Sequence, residues 1–195
     1  YPYSLPIDVA GYGHPEPLTN FPMLVKLSGD IAGFAYGTFA SDRGYDLRFT
    51  DTTGHTLNHE IERWDTSGES TVWVKVPTLS SNAAIRAWWG NASITTPPPN
   101  TTDGSTWDDD YVAVWHMSGN APIADSTANG NDALSRGTLD ASGLAGGAQS
   151  FEGGQWATVT THPSLHFMDA MTVEVLAKSD QSSAYQHFAN MGTAT

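Results

Sequence analysis

The stretch Thr71-Val72-Trp73-Val74-Lys75-Val76 decides the fold of this chain, because small apolar side chains alternate in it with larger or polar ones. Successive side chains of a β-strand point to opposite faces, so the three valines share one face and Trp73 and Lys75 share the other. The pattern predicts a strand that buries its valine face in a core and leaves its other face half exposed.

Five more segments before residue 95 are strand-like, and clusters of Gly, Asp, Thr and Ser separate them as turns. No segment shows the sustained 3.6-residue periodicity of a long helix. Short strands at this spacing predict an all-β chain with a sandwich or barrel architecture. The predicted strands cover residues 3–9, 21–27, 45–50, 57–64 and 84–89.

The balance of charges limits the classes of partner. The 195 residues contain 8 basic and 21 acidic side chains, which gives a net charge of -13. Nucleic acids and anionic lipid surfaces attract basic patches, so neither is an expected partner. The chain has no cysteine, which excludes disulfides and thiolate metal sites. No apolar stretch approaches the roughly 20 residues that span a bilayer, so membrane insertion is not expected.

A change of composition near residue 95 divides the chain. Residues 95–106 are rich in Pro and Thr and contain Pro97-Pro98-Pro99, which favours an extended polyproline conformation. We therefore predict two β-sandwich, jelly-roll-like modules, residues 1–94 and 107–195, joined by this semi-rigid linker. In the second module, strands are predicted at residues 111–116, 149–151, 156–160, 171–176 and 188–191, with a short helical turn at 163–166.

The first module contains six sequence blocks in a characteristic order. They are YPYSLPI at residues 1–7, LTNFPMLVKL at 18–27, GYDLRFTD at 44–51, HEIERW at 59–64, VWVKVP at 72–77 and WGN at 89–91. On these blocks, residues 1–94 resemble DUF2341, a bacterial and archaeal domain of unknown function. The resemblance implies no chemistry that could be assigned to particular residues.

A second set of blocks lies after the linker: VAVWHM at 112–117, DSTANGND at 125–132, GGAQSF at 146–151 and MTVEV at 171–175. These blocks resemble the laminin-G-like jelly roll of the concanavalin A-like superfamily. The resemblance implies extracellular binding, adhesion or scaffolding in a secreted or cell-surface protein of bacteria or archaea. Since such a jelly roll is longer than residues 107–195, we expect it to be completed by more of the same polypeptide or by strands of a neighbouring subunit.

Four residues of the second module are candidate ligands for calcium. Asp125, Asn129, Asn131 and Asp132 place short oxygen-bearing side chains around one glycine-containing turn, as a calcium ion requires. The laminin-G-like resemblance also implies calcium, since such modules often bind it. The alternative is an ordinary turn, because Asn and Asp side chains also bond to their own backbone.

Three aromatic residues are candidate stacking surfaces for a sugar ring: Trp89, Trp156 and Tyr185. Trp88 and Trp89 lie on opposite faces of a predicted strand, so one of these two rings is expected in the core. The sequence does not rank the three surfaces.

The segment His59-Glu60-Ile61-Glu62 carries a candidate carboxylate pair. It lacks the second histidine of a metallopeptidase helix, since Arg63 stands at that position. Glu60 and Glu62 would share one face of a strand, as a glycosidase pair could, but no other residues predict a deep cleft around them. We therefore expect the chain not to be an enzyme.

These observations leave three functions open. The first is non-catalytic binding of a glycan, a glycoprotein or another surface protein, which would serve adhesion. The second is a structural subunit of a surface layer or filament, in which self-association completes the sheets. The third is an accessory module of a polysaccharide-degrading enzyme.

Overall fold

The computed structural model describes residues 1–119, 122–166, 169–180 and 188–190. The chain forms two compact units, Tyr1–Thr161 and His162–Thr195. Every strand of the described residues lies in the first unit. The second unit contains a one-turn 3₁₀ helix, Pro163–Leu165, where a short helical turn was expected. Among the described residues, no helix is long and apolar enough to cross a membrane.

Seven strands of the first unit form two antiparallel sheets. The first sheet has the order β1 (Tyr3–Asp8), β7 (Ala84–Trp89), β3 (Arg48–Asp51) and β4 (Thr56–Leu57). The second has the order β2 (Leu18–Ser28), β6 (Glu69–Leu79) and β5 (His59–Arg63). The strand that contains the alternating valines, β6, is therefore the central strand of its sheet.

One hydrophobic core contains residues of both sheets. Val72, Val74 and Val76 of β6 are buried in it, as their alternation predicted. Phe49 and Trp89 of the first sheet are fully buried in the same core. The all-β prediction is confirmed, and the first part of the chain is a β-sandwich.

The strand predicted at residues 45–50 begins only at Arg48, because Asp46 makes a different set of bonds. Its buried carboxylate accepts hydrogen bonds from the backbone N–H groups of Ala40 and Ser41, each at 3.0 Å, and of Gly90, at 2.7 Å. Asp46 thus connects the loop before β3 to the end of β7, and β3 begins only after it.

The segment predicted at residues 57–64 passes from one sheet to the other. Its first part, in β4, pairs with β3, whereas β5 pairs with β6. Asn58 lies at the change of sheet, and its Nδ2 donates a hydrogen bond to the Ser105 carbonyl oxygen at 3.2 Å. One predicted strand is therefore two short strands at a corner of the sandwich.

Residues 95–106, the predicted linker, pack against the second sheet. The Ser105 carbonyl oxygen accepts a hydrogen bond from Lys75 Nζ at 3.4 Å, and Asn100 Nδ2 donates to Asn58 Oδ1 at 3.4 Å. The extended Pro98 precedes a one-turn 3₁₀ helix, Pro99–Thr101. The predicted module boundaries at residues 94 and 107 stay a prediction.

Two antiparallel ribbons follow in the same compact unit. β9 (Leu139–Gly143) pairs with β10 (Gly146–Ser150), and β8 (Ala133–Arg136) pairs with β11 (Trp156–Val159). The strands predicted at 149–151 and 156–160 overlap β10 and β11. No prediction covers β8 and β9, whose sequences contain no β-branched or aromatic residue. A jelly roll after residue 107 stays a prediction.

The strand predicted at residues 111–116 is wrong. Val114 donates its backbone N–H to the Asp125 carboxylate at 2.9 Å, and its carbonyl oxygen accepts from the Ser126 N–H at 2.8 Å. These backbone groups are thus bonded to a turn and not to a neighbouring strand. Residues 171–176 and 188–190 also contain no strand, and residue 191 lies outside the described residues.

Candidate functional site

Two carboxylates lie on the face of β5 that points away from the core. His59 is buried on the core side, with its ring edge-on to Phe49 at a centroid distance of 5.2 Å. Side chains alternate along a strand, so Glu60 and Glu62 lie on the opposite face, as predicted. There Glu60 is directly across from Trp73 of β6.

Glu60 binds two residues that are distant in sequence. Its Oε2 accepts a hydrogen bond from Trp107 Nε1 at 2.8 Å, and its Oε1 accepts one from Ser126 Oγ at 2.6 Å. Burial alone would raise the pKa of Glu60, but the charge and contact of His116 and these two hydrogen bonds outweigh it and lower the pKa. Glu60 is therefore held as a carboxylate.

Glu62 is the more deeply buried of the two carboxylates, with 1% of its side chain exposed. Its Oε2 accepts a hydrogen bond from Trp73 Nε1 at 2.7 Å, and its Oε1 accepts one from the backbone N–H of Gly147 at 3.3 Å. Glu62 thus connects the sandwich to the β9–β10 ribbon.

The ring of His116 lies between the two carboxylates. Its Nε2 is 3.5 Å from Glu60 Oε2, and its Nδ1 is 3.5 Å from Glu62 Oε2. The ring also stacks on Trp73 with centroids 5.7 Å apart and planes at 18°. We refer to Glu60, Glu62, His116, Trp73 and Trp107 as the acid–histidine cluster.

A cavity of about 110 Å³ adjoins this cluster, and Glu60, Glu62, His116 and Ser126 contribute to its lining. Small-molecule sites commonly have volumes of about 300–1,000 Å³. The cavity is thus smaller than a common small-molecule site. The hydrogen bonds of Glu60 and Glu62 connect β5 to later segments of the chain.

The candidate calcium residues form a hydrogen-bonded turn around Asp125. Its Oδ1 accepts from the N–H groups of Val114 and Thr127 at 2.9 and 3.0 Å. Its Oδ2 accepts from Thr127 Oγ1 and from the N–H of Asn131, each at 2.8 Å. Both oxygens of this carboxylate are therefore bonded within the turn.

The other three candidates complete the same turn. Asn129 Nδ2 and Asn131 Nδ2 donate to the Val112 carbonyl oxygen at 3.2 and 2.7 Å, and Asp132 Oδ1 accepts from the N–H of Asp125 at 2.9 Å. Within the described ranges, no three His, Asp or Glu side chains are grouped to hold a metal ion. Calcium at this turn stays a prediction, which a thermal melt with and without EDTA would test.

The structure separates the three candidate stacking residues. Trp89 is fully buried, stacks on Phe39 with centroids 5.4 Å apart, and donates its Nε1–H to Thr38 Oγ1 at 2.7 Å. A ring without exposed surface cannot stack on a sugar, so Trp89 is a core residue and its candidate stacking role is wrong. Tyr185 lies outside the described residues.

Trp156 is the exposed candidate. All seven tryptophans lie in the described part of the chain, and the other six are buried or half-buried. Trp156 has 54% of its surface exposed. A large apolar ring that remains in water marks a surface suited to a partner.

The neighbours of Trp156 are set by the pairing of β8 with β11. Trp156 lies directly opposite Arg136, and Thr158 lies directly opposite Leu134. Paired residues of an antiparallel ribbon share a face, and so do residues two apart on one strand. Leu134, Arg136, Trp156 and Thr158 therefore form one surface, which we call the ribbon face.

Sequence reasoning identified Glu60, Glu62 and Trp156 but missed most of their neighbours. Trp107, Ser126 and His116 reach the carboxylates through contacts between distant segments, and no local pattern encodes such contacts. The Arg136 pairing depends on the register of β8, a strand whose composition gives no strand signal.

Comparison with known proteins supports one of the two resemblances. The model of the domain of unknown function DUF2341 matches residues 43–111. No curated protein matches the chain, and no solved structure matches it. The matched region contains β3 to β7 and the following segment, and thus Glu60, Glu62, Trp73 and Trp107, but it ends before His116. Residues 1–42 lie outside it, although β1 and β2 belong to the same sandwich.

Proposed function

We propose that this chain is a non-catalytic binding module of a larger secreted or cell-surface protein, directed to carbohydrate or glycoprotein. The observation that supports this most directly is the exposure of Trp156 on the ribbon face. An indole offers a broad apolar surface on which the C–H groups of a sugar ring can pack. The laminin-G-like resemblance of residues 107–195 is part of the same proposal.

The state of the two carboxylates supports the non-catalytic part of the proposal. A glycosidase needs an acid and a base or nucleophile on either side of a bound sugar. Here Glu60 and Glu62 accept hydrogen bonds from Trp107, Ser126 and Trp73. The cavity beside them, about 110 Å³, is smaller than the roughly 300–1,000 Å³ that is common for small-molecule sites.

A glycan array tests the proposal, followed by titration calorimetry with each sugar that binds. Trp156→Ala should weaken binding about tenfold, because losing an aromatic contact of about 1.4 kcal/mol has that effect. Leu144→Ala is the matched control, since Leu144 is an exposed apolar residue in the turn between β9 and β10. Absence of saccharide binding, or equal binding by both variants, would contradict the proposal.

A second candidate function is supported by residues 171–176 of the second compact unit. Met171, Val173 and Val175 alternate along a segment without helix or strand and are each about half exposed. Exposed apolar segments without a strand partner favour strand addition between chains. A subunit of a surface layer or filament would use them in this way. Light scattering at increasing protein concentration tests this function, and a monomer throughout would contradict it.

A further inference from the structure

The ribbon face combines an aromatic ring with a guanidinium group. Arg136 and Trp156 are directly opposed on β8 and β11, and such pairs have Cβ atoms about 4.5–5.5 Å apart. Both side chains are exposed and leave the ribbon on the same side. One ligand of the size of a monosaccharide can therefore contact both of them.

The other side of the ribbon supports this face. Ala133 is buried, and Ser135, Ala157 and Val159 are at least half-buried on the side opposite Trp156. The exposed residues Leu134, Arg136 and Trp156 thus all lie on the ribbon face. This division fixes which side of the ribbon can accept a ligand.

The charge of Arg136 is conspicuous in its surroundings. It is the single Lys or Arg residue between positions 96 and 161, a stretch that contains eight Asp and Glu residues. Its guanidinium has no ion-pair partner among the described residues, whereas Lys26 is paired with Glu69 and Arg63 with Asp65. An exposed arginine beside a free aromatic ring is suited to a carboxylate, which it binds in a bidentate manner.

We infer that the ribbon face binds an acidic saccharide, with Trp156 stacked on the sugar ring and Arg136 paired with its carboxylate. This inference rests on the proposed function, because it names the class of sugar that the module takes. Leu134 and Thr158 extend the contact along the ribbon, the first with apolar surface and the second with a hydroxyl group.

The same charges argue against larger polyanions. A nucleic acid or an anionic membrane would meet one arginine on a chain with a net charge of -13. A uronic acid unit requires only one cation for each carboxylate. A short acidic saccharide therefore fits the ribbon face better than a dense polyanion.

Titration calorimetry of the full chain tests the inference with two matched probes. One is an oligosaccharide of galacturonic acid, and the other is the same oligosaccharide with its carboxyl groups reduced to alcohols. We expect the acidic probe to bind at least tenfold more tightly, and its binding to weaken as salt is added.

Two substitutions assign the effect to the ribbon face. Arg136→Gln should remove the preference for the acidic probe, and Trp156→Ala should weaken binding of both probes. Arg43→Gln is the matched control, since Arg43 is an exposed arginine in the loop before β3. Circular dichroism should show the same fold for every variant, as all three side chains are exposed.

The outcomes separate the inference from the proposed function. Equal binding of both probes, or an acidic preference that persists in Arg136→Gln, would overturn the inference and leave the proposed function standing. Binding of neither these probes nor any sugar on the array would overturn both. Binding of the acidic probe that is as tight in Trp156→Ala as in Arg43→Gln would place the saccharide elsewhere on the molecule and overturn both the inference and the role of Trp156 in the proposed function.

Discussion

His59 shows what a single buried residue implies for the pH dependence of the fold. Its ring is buried in the sandwich beside Phe49, and this burial, together with the nearby charge of Arg48, lowers its pKa to about 4. In the unfolded chain the pKa of a histidine is about 6.5. Between these two values, the unfolded chain binds a proton that the folded chain does not.

We therefore predict that His59 makes the fold less stable in acid. Its contribution is fully present above pH 6.5 and is lost as the pH falls towards 4, by about 1.4 kcal/mol per pH unit and about 3 kcal/mol in all. Urea unfolding of the wild type and His59→Leu from pH 7 to pH 4 measures this. The free energy of unfolding should fall less steeply in the variant, and identical pH profiles would contradict the prediction.

His116 has a different role, because its ring lies between two carboxylates, 3.5 Å from Glu60 Oε2 and 3.5 Å from Glu62 Oε2. His116→Leu would remove the polar ring that both carboxylates face, and leaving a buried polar group without its partner costs about 1–3 kcal/mol. We predict a loss of about 1–3 kcal/mol in the free energy of unfolding, measured by urea titration at pH 7. His14→Leu is the control, since His14 is exposed and has no charged partner among the described residues. Equal stability of the two variants would contradict a stabilising role for this ring.

At the scale of the element, β6 uses its two faces differently. Its valines are buried between the sheets, whereas Trp73 lies on the outer face and donates a hydrogen bond to Glu62. The same alternation that predicts the core therefore also positions the acid–histidine cluster. One face of β6 thus packs in the core, and the other carries Trp73 of the acid–histidine cluster.

The Trp73 hydrogen bond can be removed while the aromatic ring is kept. Trp73→Phe leaves a buried oxygen of Glu62 without this donor, which should cost about 1–3 kcal/mol of stability. Trp88→Phe is the matched control, because Trp88 donates to the hydroxyl of Thr50 and not to a buried carboxylate. Guanidinium unfolding compares the two, and a smaller loss in Trp73→Phe than in the control would contradict this role.

Alternation of apolar and polar residues predicts strands that bury one face, and it does not predict the other strands. β6 and β7 are predicted closely, since alternating burial is written directly into their sequences. Residues 111–116 have a comparable apolar pattern but are not a strand, because Asp125 and Ser126 bind their backbone. The shared face of Glu60 and Glu62 is likewise predictable from alternation. The contacts of Trp107 and Ser126 with Glu60 are not, because they depend on how segments distant in sequence pack together.

At the scale of the whole molecule, a glycine allows the β9–β10 ribbon to approach the sandwich. Gly146 has a φ of 103°, and a Cβ atom added there would overlap Glu62 Oε1. Gly153 has a φ of 89°, but a Cβ atom there would meet open space. Gly146 and Gly153 therefore both have a backbone conformation that is unfavourable for alanine. Only at Gly146 would the added Cβ atom also meet another side chain.

We predict that Gly146→Ala separates the β9–β10 ribbon from Glu62. Gly153→Ala should leave this contact intact, because it has only the backbone cost of about 1 kcal/mol. Limited proteolysis should cut Gly146→Ala faster within residues 107–161, while fragments that contain the sandwich persist. Equal cleavage of the two variants would show that the close approach of Gly146 to Glu62 does not hold the ribbon in place.

The bonds from Trp107 and Ser126 to Glu60 bear on how the chain can be truncated. A fragment that ends at residue 94 would retain both sheets but would lose two donors to Glu60, and with them the His116 ring that stacks on Trp73. Its outer face would expose the Trp73 indole to water and leave Glu60 without these donors. Such a fragment is expected to be less stable than one that ends at residue 161, although both contain the complete sandwich.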